Sequence, residues 1–127
     1  QAARLACGDS AAPFTKNCSG LSSAITTAAQ STLLGSSVSV QSGSPLEGYY
    51  CVNGSGTLTA VGSTGTIGSP PTKPSPFTCD SVTTGSTSAP GTYLQVSVTY
   101  AYAPIFATSI GSLLTSPIVR TAWLRVE

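Results

Sequence analysis

Histidine and methionine are absent from this chain, and only 7% of its residues are charged. Without histidine, a serine nucleophile has no imidazole to take its proton, so hydrolysis by a Ser-His-Asp triad is excluded. The cysteines form no C-x-x-C pair, so the usual ligand spacing of a zinc site is also missing. The sequence therefore predicts no metal and no cofactor. The net charge is +1 and the five basic residues form no run, so we expect no nucleic-acid binding.

The few charged side chains are scattered, which argues against an active site. The acids are Asp9, Glu47, Asp80 and Glu127. A paired-carboxylate glycosidase would require Glu47 and Asp80 to meet in space. A serine–lysine dyad would require Lys16 or Lys73, which we interpret instead as solvated surface residues. We predict no catalytic residues, no small-molecule substrate and no enzymatic activity.

The four cysteines, Cys7, Cys18, Cys51 and Cys79, are even in number and widely spaced. This pattern favours two disulfides formed in an oxidising compartment. Three pairings are possible in principle. Cys7 with Cys18 and Cys51 with Cys79 is favoured, because each pair brackets a loop-like stretch rich in proline, glycine and hydroxyl groups. Each bridge would add about 3 kcal/mol, mainly by restricting the unfolded chain.

Helical patterning is confined to residues 1–35. The opening QAARLAC is in helical register and rich in good helix formers. The convincing helix runs from Leu21 to Leu34 and ends before Gly35, where a left-handed residue suits the position after the helix. An apolar stripe at helical spacing comprises Leu21, Ala24, Ile25, Ala28, Ala29, Thr32 and Leu33. We expect Ile25 and Leu33 to pack against the Val96, Val98 and Tyr100 face of a sheet.

Strand patterning occupies residues 36–61 and 91–127. Val38 and Val40 begin the first strand, and Tyr49–Val52 and Leu58–Val61 flank Asn53-Gly54-Ser55-Gly56 as a hairpin. A long strand alternates from Leu94 to Tyr102, with Leu94, Val96, Val98, Tyr100 and Tyr102 on one face. Pro104 stops it, and a last strand runs from Ile118 to Val126.

Residues 62–90 are rich in glycine, serine, threonine and proline, which predicts a long surface loop tied at Cys79 rather than packed. Together the elements predict one α+β domain over residues 1–127. It would be an antiparallel sheet with an amphipathic helix packed on one face.

The aromatic residues support a second interpretation. Tyr49, Tyr50, Tyr93, Tyr100 and Tyr102 with Trp123 could stack on sugars as a carbohydrate-binding or adhesive module. The favoured alternative is that Tyr100 and Tyr102, in phase with the strand valines, face the core. Trp123 lies in the opposite phase to Leu124's neighbours and is expected to be the more exposed aromatic.

The C-terminal third carries an ordered set of short motifs. A valine-rich strand is followed by a tyrosine-proline-aliphatic-phenylalanine patch at residues 102–106, an apolar segment, and a last strand containing Thr121, Ala122, Arg125 and Glu127. This order resembles the TadE-like family of bacterial pilus-assembly proteins, whose chains close with threonine-alanine-x-x-arginine-x-glutamate. The resemblance also covers the opening QAARLAC and the helix into the first valine strand. Residues 45–90 have no clear counterpart in the family.

The resemblance implies a pilin-like component of the tight-adherence (Tad) pilus or secretion system. An apolar membrane helix would run directly into Ala2, Ala3 and Arg4, and the domain would lie in the periplasm or at the cell surface. Its partners would be other pilus-assembly proteins, and it would act by contact rather than by catalysis. A mature N-terminus after signal cleavage is the alternative for the start of the chain, and a small hydrolase is the third functional hypothesis. The sequence upstream of Gln1 would separate these hypotheses best.

Overall fold

A computed structural model describes residues 7, 8, 10–101 and 117–126. In that part of the chain the structure is a five-stranded antiparallel sheet with few helices and two disulfides. The helices are α1 (Phe14–Asn17), α2 (Leu21–Gln30) and a 3₁₀ turn (Gly35–Ser37). The strands are β1 (Val38–Val40), β2 (Leu46–Val52), β3 (Leu58–Ala60), β4 (Gly91–Tyr100) and β5 (Ile118–Arg125). This arrangement is consistent with the predicted α+β class.

Strand β4 is the centre of the sheet because three strands pair with it. β5 pairs along Tyr93–Tyr100, whereas β1 and β2 pair with separate stretches of β4, at residues 98–100 and 91–95. Since β5 spans both stretches, β1 and β2 must lie end to end along the other edge. Ser97 marks the change of partner: its carbonyl accepts from the Gln41 amide at 2.9 Å, and its amide donates to Ser44 Oγ at 2.9 Å.

The register defines two faces of the sheet, since directly opposed residues of antiparallel strands lie on the same face. The core face carries Glu47, Leu94, Val96 and Leu124, and we call the other the aromatic face because it carries Tyr50, Tyr93, Gln95, Trp123 and Arg125. On the core face, Leu94 belongs to one buried cluster with Leu21 and Ile25 of α2, Phe14 of α1 and the Cys7–Cys18 bridge. Val40, Val96, Leu124 and Val126 pack against this cluster.

Both predicted disulfides are confirmed. Cys7–Cys18 and Cys51–Cys79 have Cα–Cα distances of 5.4 and 5.7 Å, within the usual range for a bridge. The first bridge closes a loop that contains α1, a short helix that the sequence did not predict. The predicted helical register of residues 1–6 and the position of Tyr102 lie outside the described residues.

Helix α2 is shorter than predicted. It ends at Gln30 rather than Leu34, and Leu33 is fully exposed instead of contributing to the buried stripe. Ser31 and Thr32 donate side-chain hydrogen bonds to the carbonyls of Ala28 and Ala29. Such local bonds compete with continuation of a helix, so the chain turns here. Gly35 has the expected left-handed conformation, with φ of 52°, at the start of the 3₁₀ turn rather than directly after the α-helix.

Residues 62–90 form a loop, as predicted, but the expectation that this loop is tied rather than packed was wrong. Gly65 exchanges two backbone hydrogen bonds with Glu47 of β2, at 2.7 and 2.8 Å. A Cβ at Gly65 would overlap the Pro70–Pro71 backbone, so only glycine allows this close approach. Val61, Cys51 and Cys79 form a second buried cluster with Val82 packed against it. The loop therefore lies on the domain as part of its structure.

Candidate functional site

Three aromatic rings converge on the aromatic face of the sheet. Tyr50 meets Trp123 with ring centroids 5.0 Å apart and meets Tyr93 at 6.0 Å, and both pairs are edge-to-face, at 84° and 82°. Tyr50 comes from β2, Tyr93 from β4 and Trp123 from β5, so three strands supply the cluster. Edge-to-face pairs are a favourable geometry that adds to the burial of the rings. The convergence thus fixes the orientation of the central ring.

The ring of Tyr50 is held from beneath by Gly48, the next residue of β2 on the same face. A Cβ at Gly48 would lie 3.0 Å from Tyr50 Cε2 and 3.1 Å from the Thr64 methyl group, so the ring covers the space that a side chain would occupy. Tyr50 is buried, and this desolvation raises the pKa of its phenol above the ordinary value. Its hydroxyl is therefore neutral, and able to donate, throughout the physiological pH range.

A groove of about 380 Å³ lies beside this cluster. Tyr50, Tyr93 and Arg125 line it from the sheet, and Thr83, Ser86 and Ser88 line it from the end of the long loop. The loop wall is fixed: the Cys79 amide donates to the Ser88 carbonyl at 2.8 Å, and Cys79 is bridged to Cys51 of β2. The result is a built depression that combines aromatic rings, hydroxyl groups and a guanidinium group.

Trp123 lies at the border of this region and is 42% exposed, in agreement with its predicted exposure. Its cross-strand neighbour is Gln95 of β4. Two residues further along β5, Arg125 stands opposite Tyr93. An exposed aromatic ring next to amide and guanidinium groups is typical of surfaces that bind other molecules, because one region offers apolar contact and hydrogen bonds together.

The two carboxylates considered for catalysis are not brought together as a pair. Glu47 has no exposed surface, and its two oxygens accept hydrogen bonds from the Phe14 amide at 2.8 Å and from the Thr15 amide and hydroxyl at 2.7 Å. Asp80 is exposed and accepts from the Gly85 amide at 2.6 Å. Glu47 therefore holds the first residues of α1 in place, while Asp80 closes a local turn.

The two lysines considered for a dyad also have surface environments. Lys16 is exposed on α1. Lys73 is exposed, and its Nζ lies 4.3 Å from the centroid of the Phe77 ring, a cation–π contact that helps to fix the long loop. Phe77 in turn packs edge-to-face on Tyr49 of β2, with centroids 5.4 Å apart. Tyr49 is thus engaged on the face opposite the Tyr50 cluster.

A second, mostly apolar groove of about 410 Å³ lies between the end of α2 and the core face of the sheet. Its lining comprises Ala29, Thr32, Leu34, Val38, Val98, Tyr100, Ile118 and Arg120. Tyr100 is half-buried there, in phase with the strand valines as predicted. Tyr100 and Ile118 flank residues 102–116, so this lining is that of the described part of the chain.

The described residues contain no cluster of three or more histidine, cysteine or acidic side chains placed to hold a metal ion. Within the same ranges, none of the helices has the length and apolar character that crossing a membrane requires. No protein-family model, no curated protein and no solved structure matches this chain.

Sequence reasoning singled out the aromatic residues but missed their convergence. The available signal was phase: Trp123 and Arg125 share one side of the last strand, and Tyr50 shares a side of its strand with Gly48. Pairing of Tyr93 with both strands depends on the register, which the separate alternation patterns do not contain. The hydroxyl groups at Ser86 and Ser88 gave no signal, because serine and threonine are common throughout the chain.

Proposed function

We propose that this domain is a non-enzymatic, pilin-like component of a tight-adherence pilus or secretion system that acts in pilus assembly through protein–protein contacts. It would work in the periplasm or at the cell surface, anchored in the cytoplasmic membrane in the full-length protein. The proposal rests on the TadE-like order of motifs in the C-terminal third. Its partners would be other pilus-assembly proteins.

The observation that carries the proposal is the exposure of the family-like motif. Thr121, Ala122 and Arg125 are all exposed on β5. Side chains that serve only to build a core are buried, whereas an exposed motif is available to a partner. Thr121 is also placed firmly, since its Oγ1 lies 2.9 Å from Ser97 Oγ of β4. Among the described residues, β4 is the only strand paired with β5, so this motif lies along one side of the sheet.

Two further features support an extracytoplasmic role. Two disulfides are characteristic of proteins that mature in an oxidising compartment. In addition, Leu21 and Ile25 of α2 share the buried cluster with Leu94 of the sheet. In this proposal, α2 is the helix laid on the sheet of a pilin-like fold. Contacts through hydroxyl groups and apolar patches also suit a chain with so few charges, because they require no electrostatic steering.

The test uses the full-length protein in its host. A photo-crosslinking residue placed at Thr121 should capture another pilus-assembly protein, and one placed at Thr27, exposed on α2, serves as the matched control. Deletion of the gene should abolish surface pili or adherence, and the full-length gene should restore them. Normal pili in the deletion strain, or equal capture from both positions, would contradict the proposal.

A further inference from the structure

The groove beside Tyr50 and Tyr93 has the chemistry of a sugar-binding site. Its volume of about 380 Å³ falls within the range of small-molecule sites, which combine apolar and aromatic walls with a few placed polar groups. Tyr93 is half-buried, so part of its ring remains available to a ligand. The opposite wall supplies the hydroxyl groups of Thr83, Ser86 and Ser88.

We infer that this groove binds a pyranose sugar of a surface glycan, with the ring of Tyr93 stacking on the sugar and the hydroxyl groups of residues 83–88 bonding its hydroxyls. This is a binding activity beyond the proposed assembly function and does not depend on it. A pyranose has an apolar C–H face and a rim of hydroxyl groups, so it requires an aromatic wall facing a polar wall. The groove provides both.

The walls are held in place before any ligand arrives, which lowers the ordering cost of binding. Tyr50 is fixed by edge-to-face contacts with Tyr93 and Trp123. On the loop side, the Ser86 amide donates to the Thr83 carbonyl at 2.9 Å. The Ser88 amide reaches Ser86 Oγ at 3.4 Å. The Cys51–Cys79 bridge joins this wall to the sheet.

Other classes of ligand fit the groove less well. Nucleic-acid bases also stack on aromatic rings, but such sites track the phosphate backbone with a positively charged groove. Here Arg125 is the only basic residue in the lining, and the chain carries five basic residues in total. A metal-dependent sugar site would need acidic ligands, and no acid lines the groove. Direct stacking and neutral hydrogen bonds are the chemistry that remains.

The test is an NMR titration of the ¹⁵N-labelled 127-residue chain. The probes are the methyl pyranosides of glucose, galactose, mannose and N-acetylglucosamine, followed by the linear tetrasaccharide of each. We expect at least one probe to give saturable shifts at Tyr93, Ser88 and the Trp123 indole, with a Kd of about 1 mM, the weak affinity of a single sugar contact. Absence of saturable shifts for every probe would overturn the inference.

Variants locate the binding. Tyr93→Ala should weaken it about tenfold or more, whereas Tyr93→Phe keeps the ring and should retain most of it. Tyr100→Ala, on the same strand but on the opposite face, is the matched control and should leave affinity unchanged. If Tyr93→Ala does not fold, Ser88→Leu fills the groove from the exposed loop and should abolish binding. Unchanged affinity in Ser88→Leu or in a folded Tyr93→Ala would show that sugars bind elsewhere.

Discussion

The buried carboxylate of Glu47 allows a sharp prediction about stability. Glu47 Oε1 accepts from the Phe14 amide, and Oε2 accepts from both the amide and the hydroxyl of Thr15. Glu47→Gln keeps the shape of the side chain but replaces one oxygen with a donor. In its better orientation the new amide oxygen serves Thr15, and the new NH₂ group faces the Phe14 N–H. Two donors then oppose each other with no water between them.

The cost follows from the three hydrogen bonds. A buried donor without a partner costs about 1–3 kcal/mol. The two bonds that survive lose the charge of the acceptor, and each is weaker by about 1 kcal/mol. Removing a buried charge recovers part of its desolvation penalty. We therefore expect Glu47→Gln to lower the free energy of unfolding by about 2–4 kcal/mol, a large share of the 5–15 kcal/mol typical of a folded domain.

Urea unfolding followed by fluorescence measures this effect directly, since Trp123 is the one tryptophan in the chain. Thr15→Val removes a single hydroxyl donor and should cost about 1 kcal/mol. Asp80→Asn is the control for losing a carboxylate, because Asp80 is exposed and the amide keeps an acceptor for Gly85; it should change stability by less than about 0.5 kcal/mol. If Glu47→Gln is as stable as Asp80→Asn, the anchoring of α1 by Glu47 is refuted.

Two further substitutions test the packing, each by the same unfolding measurement. Ile25→Ala should cost about 2–5 kcal/mol because it empties a buried site, whereas Leu33→Ala should be nearly neutral because Leu33 is fully exposed; equal effects would contradict the observed end of α2. Gly65→Ala should cost more than about 1 kcal/mol, because its Cβ would overlap the Pro70–Pro71 backbone, while Gly54→Ala, with open space around it, should cost less. A neutral Gly65→Ala would mean that the long loop is not seated on β2.

Features that arise from local patterns were predictable from the sequence. Period-two alternation located the long strand, and Asn53-Gly54-Ser55-Gly56 located the hairpin, where Asn53 Oδ1 accepts from the Ser55 and Thr57 amides. Both disulfides were also predicted, because each cysteine pair brackets one loop-like stretch. In each case a few neighbouring residues contain the whole signal.

Features that depend on distant contacts were not predictable. The end of α2 at Gln30 depends on serine and threonine hydroxyl groups that a hydrophobic stripe does not register. The seating of the long loop depends on Gly65, one glycine among 13 in the chain. The bonds from Glu47 to Phe14 and Thr15 join residues more than 30 positions apart. The convergence of Tyr50, Tyr93 and Trp123 required the register of three strands.

The shared edge of β4 has a consequence for how the chain folds. Val38 pairs with Tyr100 and Glu47 pairs with Leu94, so neither β1 nor β2 can join the sheet until β4 exists. Before then, only the β2–β3 hairpin and the helices can form by local contacts. Domains dominated by such long-range pairing fold slowly, because the loops must close before the contacts reward them. During synthesis, the first 90 residues would therefore remain without their sheet, a state that suits passage through a membrane channel before folding on the far side.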